Sequence, residues 1–324
     1  MQDTRWDKSL VSIIIPCYNA ERWIKEAIDS CLEQIYRPIE IIVVDDGSTD
    51  TSVTILQKFG SQIILETGSN LGGNHARNRG FALSCGEFIQ FLDADDYLLP
   101  KKIAHQVSYL QEIGANVVYG DWRHQFHEPD GGDHLGEMIV SGEQTDVLEA
   151  LLAGWWVAPA ALLFRRNSVI ASGGWDESLQ AGQDRDFFIS VALSGADIRY
   201  QPGCYSIYRR YGNVTVSTSN RRRWLENHAR ILVKAEQHLA SQAESTRYQK
   251  ALANSYYTIA HNWRDINAEK YEQFLQKALL LDPNFRPKKS FIYQQLATLF
   301  GLRFAEQIGS YKYKLKNFLS HWQL

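Results

Sequence analysis

Long apolar runs are missing from this sequence. The longest, residues 155–164, contains Pro159 and falls well short of the ~20 residues that a membrane-spanning helix requires. Residues 1–8 are polar and the apolar run at 10–15 is short, so no secretory leader is expected. Cysteine is scarce and unpatterned: Cys17, Cys31, Cys85 and Cys204 form no C-x-x-C pair. That excludes a zinc knuckle, a redox motif and a disulfide framework, and points to reduced thiols in the cytoplasm. Charge of one sign is also lacking, since 34 Lys and Arg stand against 37 Asp and Glu, a net charge of -3. No global field draws the chain to nucleic acid, which is set aside as a partner, so any anionic ligand must be held by local groups. Gly68, Gly72 and Gly73 precede a helical pattern, but no G-x-G-x-x-G follows the first strand, which disfavours a dinucleotide-binding dehydrogenase. No H-E-x-x-H exists either; His124, His127 and His134 fall in a Gly/Asp/Pro-rich excursion that reads as a surface hairpin.

What is present is a regular alternation. Compact β-rich runs at 11–15, 39–44, 63–65 and 88–92 alternate with amphipathic segments at 21–34, 51–59, 74–84 and 101–113. This β-α-β-α order predicts an α/β, Rossmann-like domain with a mostly parallel sheet flanked by helices. From Asn116 shorter β-like runs follow at 117–120, 138–140 and 160–164, then a helix at 184–193 and a β-like stretch at 198–208. After Asn220 glycine nearly vanishes and helix formers dominate. The expected division is therefore a catalytic domain at 1–218, with halves at about 1–120 and 121–218, and an all-helical region at 219–324. Ala253, Tyr257, Ala260, Tyr271, Phe274 and Ala278 resemble one degenerate tetratricopeptide-like hairpin, and a helical hairpin is expected there.

Two acidic strand ends carry the chemistry. Val43-Val44-Asp45-Asp46-Gly47-Ser48 runs from a buried strand into paired acids at the C-terminal edge, where open α/β sheets bind ligands. Such an acid can accept a nucleobase N–H or ribose hydroxyls; it can equally cap the next helix, a task open to Ser48 or Asp50. The second run, Phe91-Leu92-Asp93-Ala94-Asp95-Asp96, again follows a strand, and alternate carboxylates suit Mg²⁺ or Mn²⁺ on a diphosphate. Acidic triplets of this kind also decorate solvated turns.

Taken with Val11-Ser12-Ile13-Ile14-Ile15-Pro16-Cys17-Tyr18-Asn19 and Ala76-Arg77-Asn78-Arg79-Gly80, these motifs resemble glycosyltransferase family 2 over the first two thirds of the chain. The resemblance implies a GT-A fold, a nucleotide-diphospho-sugar donor, expected to be UDP-linked, a divalent cation and inversion at the anomeric carbon. It implies that Pro16 and Tyr18 pack against the base, that Asp46 hydrogen-bonds it and Asp45 supports that loop. It further implies that Arg77 faces the nucleotide or its phosphates, that Asp93 meets the ribose or metal-bound water, and that Asp95 ligates the metal.

The segment Gly182-Gln183-Asp184-Arg185-Asp186 resembles the family's acceptor side, with Gln183 where Glu is common. Asp184 then matches the catalytic base, at a helix N-terminus expected to lower its pKa. Asp186 competes for the role, and an N-cap is the plain alternative for Asp184. Trp156 and Trp175 could stack on acceptor sugars or pack in a core. Arg209, in Tyr208-Arg209-Arg210, resembles a closing segment that meets the diphosphate. The implied activity is transfer to a glycan or lipid-linked acceptor in cell-surface or extracellular polysaccharide synthesis. The alternative is a non-catalytic sugar-nucleotide sensor whose helical tail recruits a protein partner, motivated by Gln183. A nucleotidyltransferase is disfavoured because Pro16-Cys17-Tyr18-Asn19 is no Gly-rich phosphate loop. Near the C-terminus Lys312, Lys314 and Lys316 interleave with Tyr311, Tyr313, Leu315 and Phe318, a pattern suited to peripheral contact with the inner membrane face or to a packed terminal helix.

Overall fold

The computed structural model describes residues 6–128, 131–211, 220–240, 246–287, 290–306 and 308. The Lys312–Lys316 pattern lies outside them. Among the described residues no helix is long and apolar enough to cross a membrane.

The first compact unit, Met1–His238, is built on one mixed sheet. Strands β1 (Asp7–Cys17), β2 (Ile39–Asp45), β3 (Ile64–Thr67) and β4 (Gly86–Phe91) run parallel in the order β3-β2-β1-β4. Their sequences are apolar on both faces because helices cover both sides: Ile13, Ile14, Ile15, Ile42 and Val43 are fully buried. Each such side chain contributes roughly 2 kcal/mol of apolar burial. Helices α1 (Ile24–Leu32), α2 (Ser52–Gln57), α3 (Gly73–Leu83) and α4 (Lys102–Ile113) make the crossovers.

Beyond β4 the sheet turns mixed. The two-residue strand β5 (Tyr97–Leu98) lies at the far edge, after β6 (Val117–His127), β8 (Leu162–Arg165) and β9 (Ile198–Tyr211), in the order β4-β8-β6-β9-β5. Strand β7 (Asp133–Ile139) pairs antiparallel with β6, so the histidine-bearing excursion is indeed a hairpin, longer than its sequence advertises. Helices α5 (Val147–Ala153), α6 (Arg166–Ser172) and α7 (Gln183–Leu193) complete this half.

The composition change at 219 does not end the first unit. Helix α8 (Arg221–Ala240) starts there, yet it packs on the start of α7: Lys234 Nζ donates to both carboxylate oxygens of Asp186, at 3.0 and 2.9 Å, and Arg230 donates to Ser178 Oγ at 2.9 Å. A helix-rich composition marks secondary structure, whereas the boundary follows side-chain contacts.

The second unit, Leu239–Leu324, contains α9 (Gln249–Trp263), α10 (Ala268–Leu281) and α11 (Phe291–Phe300). Helices α9 and α10 form the expected hairpin, with Ala253, Tyr257, Ala260 and Ala278 buried and Tyr256 stacked on Phe274 at 6.2 Å.

Candidate active site

Three parallel strands deliver the acidic residues to one rim. Cys17 and Asp45 are partners at the ends of β1 and β2, and Ile14 and Phe91 pair where β4 runs out toward Asp93. Leu92 N donates to Ile14 O at 3.0 Å, fixing the exit of β4 beside β1.

At the β2 exit both oxygens of Asp46 are engaged: Oδ1 accepts from Leu71 N and Oδ2 from Gly72 N, each at 2.8 Å. Asp46 therefore holds the loop ahead of α3, with one further lone pair on each oxygen. Asp45 Oδ2 accepts from Ser48 N at 3.2 Å, whereas its Oδ1 is buried without a partner. Neither acid caps a helix, because Asp50 serves the start of α2 through Ser52 N at 2.9 Å. Gly47 sits at φ 76°, and a Cβ there would lie 2.8 Å from Asn70 N, so the turn requires glycine. Pro16 is half-buried, and Tyr18 stands 49% exposed at the mouth of this turn.

At the β4 exit the carboxylates of Asp93, Asp95 and Asp96 lie within 4.8 Å of one another, the only such metal-competent cluster among the described residues. Arg77 NH2 donates to Asp93 Oδ1 at 2.6 Å. Tyr211 donates its hydroxyl to Asp95 Oδ2 at 3.0 Å, and Arg209 N donates to Asp96 Oδ1 at 2.9 Å. Asp96 Oδ2 is buried and unpartnered. Burial, together with the negative charge of Asp93, holds the Asp95 carboxyl above its ordinary pKa; burial and then Asp95 and Asp93 push Asp96 well above it. A divalent cation would relieve that strain of like charges.

The third acid lies at the start of α7, where Gly182 adopts φ 70° and a Cβ would meet His228 at 2.8 Å. Asp184 is half-buried and accepts from Trp156 Nε1 at 2.5 Å. It also borders a small apolar cavity lined by Phe91, Leu162, Phe164 and Phe187. The expected lowering of its pKa is reversed: burial raises it, against the pull of the Trp156 and Arg185 N–H groups, with Asp93 raising and Arg77 lowering it further. Desolvation outweighs the helix terminus here. Tyr208 feels both acidic centres, its pKa raised first by burial and then by Asp96, Asp93 and Asp184, with Arg210 opposing.

Helix α3 ties these parts together. Asn74 Nδ2 donates to Asp176 O at 2.6 Å, Asn78 Nδ2 to Trp175 O at 2.9 Å, and Asn78 Oδ1 accepts from Trp175 N at 2.9 Å. The segment leading to Asp184 is thereby clamped beside Arg77.

Three sequence expectations change. Asp186 is buried and paired with Lys234, so it faces α8 and is no rival to Asp184. Trp175 is 4% exposed, stacked on Phe187 at 4.2 Å with Arg77 4.6 Å from its ring centroid, and so has no free face for a sugar. Arg209 is 3% exposed; its guanidinium lies 4.2 Å from the Trp23 ring and 2.8 Å from Glu26 Oε2, so it is buried against other side chains, and its charge lowers the pKa of Asp95 and Asp96. Strand alternation explains it, since Tyr208 and Arg210 share one face of β9 and Arg209 the other. Gln183 spends its amide on Leu179 O at 3.1 Å. Trp156 is half-buried among Trp122 and Tyr208, at ring separations of 5.2 and 5.8 Å, with its N–H committed to Asp184. Sequence reasoning gave no role to Asn74, Asn78, Asp96 as a third carboxylate, Tyr208 or Tyr211, although Asp96, Asn78 and Tyr208 each stand inside a motif that it singled out.

Comparison with known proteins gives one consistent answer. The Glycosyl transferase family 2 pattern matches residues 12–169. An uncharacterised glycosyltransferase of Rickettsia typhi is 35% identical over 189 residues, 55% of this chain and 57% of that protein. Another, of Haemophilus influenzae, is 30% identical over 227 residues, 65% of this chain and 68% of its own length. The glycosyltransferase GlyG of Streptococcus pneumoniae is 36% identical over 144 residues, 43% and 46% of the two chains. The matched region spans little more than half the length of the Rickettsia relative. In fold, the chain resembles the crystal structure of S. aureus TarS 1–349 in complex with UDP-GlcNAc, at a TM-score of 0.67 and 19% identity over 84% of this chain and 81% of that one. The mixed, mostly parallel sheet flanked by helices is the GT-A arrangement.

Proposed function

Because the chain belongs to glycosyltransferase family 2, we propose that it moves a sugar from a nucleotide-diphospho-sugar to a hydroxyl of a glycan or lipid-linked acceptor, with inversion, in building a cell-surface or extracellular polysaccharide. The observation that carries this reading is the joint rim: three carboxylates drawn together at the β4 exit, and Asp184 within electrostatic reach of one of them.

The donor set suits Mg²⁺ or Mn²⁺, since hard carboxylate oxygens crowd together and Asp96 Oδ2 lacks a partner. Asp95 and Asp93, joined by Asp96, would hold the ion, which when bound neutralises charge on the departing diphosphate. Tyr18 offers a face to the base beside Pro16, and Asp46 takes a base N–H on a remaining lone pair while Asp45 steadies the turn. Arg77 keeps Asp93 oriented and presents positive charge to the phosphates.

Asp184 accepts the acceptor's hydroxyl proton as that oxygen forms its bond to the anomeric carbon, opposite the breaking bond to the diphosphate. Burial makes this carboxylate a stronger base than an exposed one, and the Trp156 N–H keeps it aimed. TarS has been crystallised with UDP-GlcNAc, so UDP-linked sugars head the donors to try.

The test is a melting-temperature panel of nucleotide sugars with and without Mn²⁺, followed by turnover of whichever donor stabilises the chain. Asp95→Ala should lose the Mn²⁺-dependent shift and turnover together; Asp184→Asn should keep the shift and lose turnover. Absence of any donor-induced shift would overturn the reading, and binding without turnover against every acceptor would favour a sensor.

A further inference from the structure

Residues 176–182 carry the chain into the helix that bears Asp184, and they belong to no strand or helix. Such a segment must find its backbone partners elsewhere. Helix α8 provides them. Asn227 is 6% exposed, and its amide oxygen, turned toward the segment, accepts from Gln180 N at 3.3 Å and from Ala181 N at 3.0 Å. Arg230 donates to Ser178 O at 3.4 Å as well as to Oγ of that residue. His228, equally buried, lies against Gly182, where a Cβ would also come within 3.1 Å of Ile231. Lys234 stands 3.6 Å from Asp176, before the segment, and 2.9 Å from Asp186, after it.

These side chains share one face of α8, since Asn227, Arg230, Ile231 and Lys234 recur at helical spacing within an arc of about 100°. Trp224, one turn earlier, holds the His228 ring at a centroid distance of 3.8 Å and meets its Nδ1 with the backbone carbonyl at 2.9 Å. Burial, and then the charge of Arg185, lower the His228 pKa to about 4, so the ring stays neutral at about pH 7 and its contact with Gly182 does not depend on protonation.

Ordinary packing asks only for apolar contact. A buried amide spent on two successive N–H groups fixes that turn to within hydrogen-bond tolerance instead. Asn74 and Asn78 hold residues 175 and 176 from α3, and Gly182, at φ 70°, passes the chain on to Gln183 and Asp184. Helix α8 holds the stretch between.

We propose that α8 is a positioning element of the transfer site and that Asn227 is its main positioning residue, setting where the helix that carries Asp184 begins and so where its carboxylate meets the acceptor hydroxyl. This rests on Asp184 as the base. Helix α8 lies outside residues 12–169, which match the family pattern, so that pattern does not reveal it. The donor side hangs on α3 and on the exits of β2 and β4; loosening α8 therefore acts on proton removal and spares donor binding.

The experiment measures kcat and, by calorimetry, donor affinity for the full chain and for Asn227→Leu, Asn227→Asp and Arg230→Met, each below its own melting temperature. Asn227→Leu keeps the side-chain volume and removes the acceptor. It should lower kcat between about tenfold and a hundredfold, the cost of misplacing a reacting group by about 1 Å, with donor affinity within about twofold. Asn227→Asp keeps both volume and acceptor and should recover most of kcat, a rescue that packing alone would not separate from Asn227→Leu. Arg230→Met changes an exposed residue, so the fold stands, and should lower kcat about threefold. Unchanged kcat in Asn227→Leu, an equal loss in Asn227→Asp, or a fall in donor affinity that matches the fall in kcat would overturn the proposal. Where Asn227→Leu does not fold, unchanged kcat in Arg230→Met overturns it alone. Asp184→Asn is assayed alongside: inactive, it leaves the base reading standing whatever the α8 variants do; active, it removes the base and this proposal together.

Discussion

Replacing Trp156 by Phe removes one N–H donor from Asp184 and changes little volume beside Trp122 and Tyr208. A hydrogen bond to a charged group contributes about 1.5–3 kcal/mol, and one pKa unit corresponds to about 1.4 kcal/mol. Asp184 already sits above its ordinary pKa because burial outweighs the bonds that favour its ionised form. Losing the strongest of those bonds should carry it a further ~1 to 2 units upward. The proposed base would work only when ionised, so activity should fall as pH drops through this pKa. The acid limb of the kcat/KM profile should move to higher pH by that amount, with up to about tenfold lower turnover between the old and new limbs and near recovery above them. Other groups acting on Asp184, the Arg185 N–H, Asp93 and Arg77, remain in place as a constant background. The assay is a pH–rate profile of donor turnover with donor affinity measured by calorimetry at each pH. A uniform loss at every pH, with the limb unmoved, would refute the reasoning and reduce Trp156 to packing.

Four further outcomes follow from the same geometry. Asp184 takes up a proton on folding at pH values between its ordinary and raised pKa, so its contribution to stability is greatest at low pH and lost as pH rises through the folded value. Asp184→Asn should therefore melt higher than the parent at pH 8, by a few degrees per kcal/mol, and the gap should close near pH 4 in calorimetric scans. Asp186→Asn should keep transfer activity, whereas Asp184→Asn abolishes it; equal loss in both would reopen the choice of base. Asn78→Ala leaves the Trp175 amide and carbonyl without partners, which should cost about 1–3 kcal/mol in urea unfolding and lower kcat more than donor affinity. Gly47→Ala should destabilise by at least about 1 kcal/mol and weaken donor binding, since both its φ and the approach of Asn70 N oppose a side chain; retained affinity would detach the turn from the nucleotide.

The strand ends were legible because β1, β2 and β4 are apolar runs that stop at acids, and such stops mark one edge of a parallel sheet. What those acids touch was not. Asp46 reads as a ligand contact, yet its oxygens hold the backbone at Leu71 and Gly72, a choice made by loop geometry. Arg209 and Arg210 are neighbours in a basic pair, and only strand direction decides that one is buried on Trp23 and the other lies against Tyr208. The helix-terminus argument for Asp184 had the right sign for an exposed carboxylate and the wrong one for this site, because burial is a tertiary property. The grip of Asn74 and Asn78 on residues 175 and 176 spans about a hundred positions, beyond any local pattern.

That grip makes α3 a strut with two loads within little more than one turn. Asn74 and Asn78 carry the segment leading to α7, and Arg77 between them carries Asp93. A single inserted residue inside 74–78 would swing everything after it by about 100° and shift it by about 1.5 Å, unhooking one load whenever the other is kept. Hairpins and loops elsewhere can lengthen without disturbing this strut, while the spacing of these three side chains stays fixed in step with the distance between the β4 exit and the start of α7.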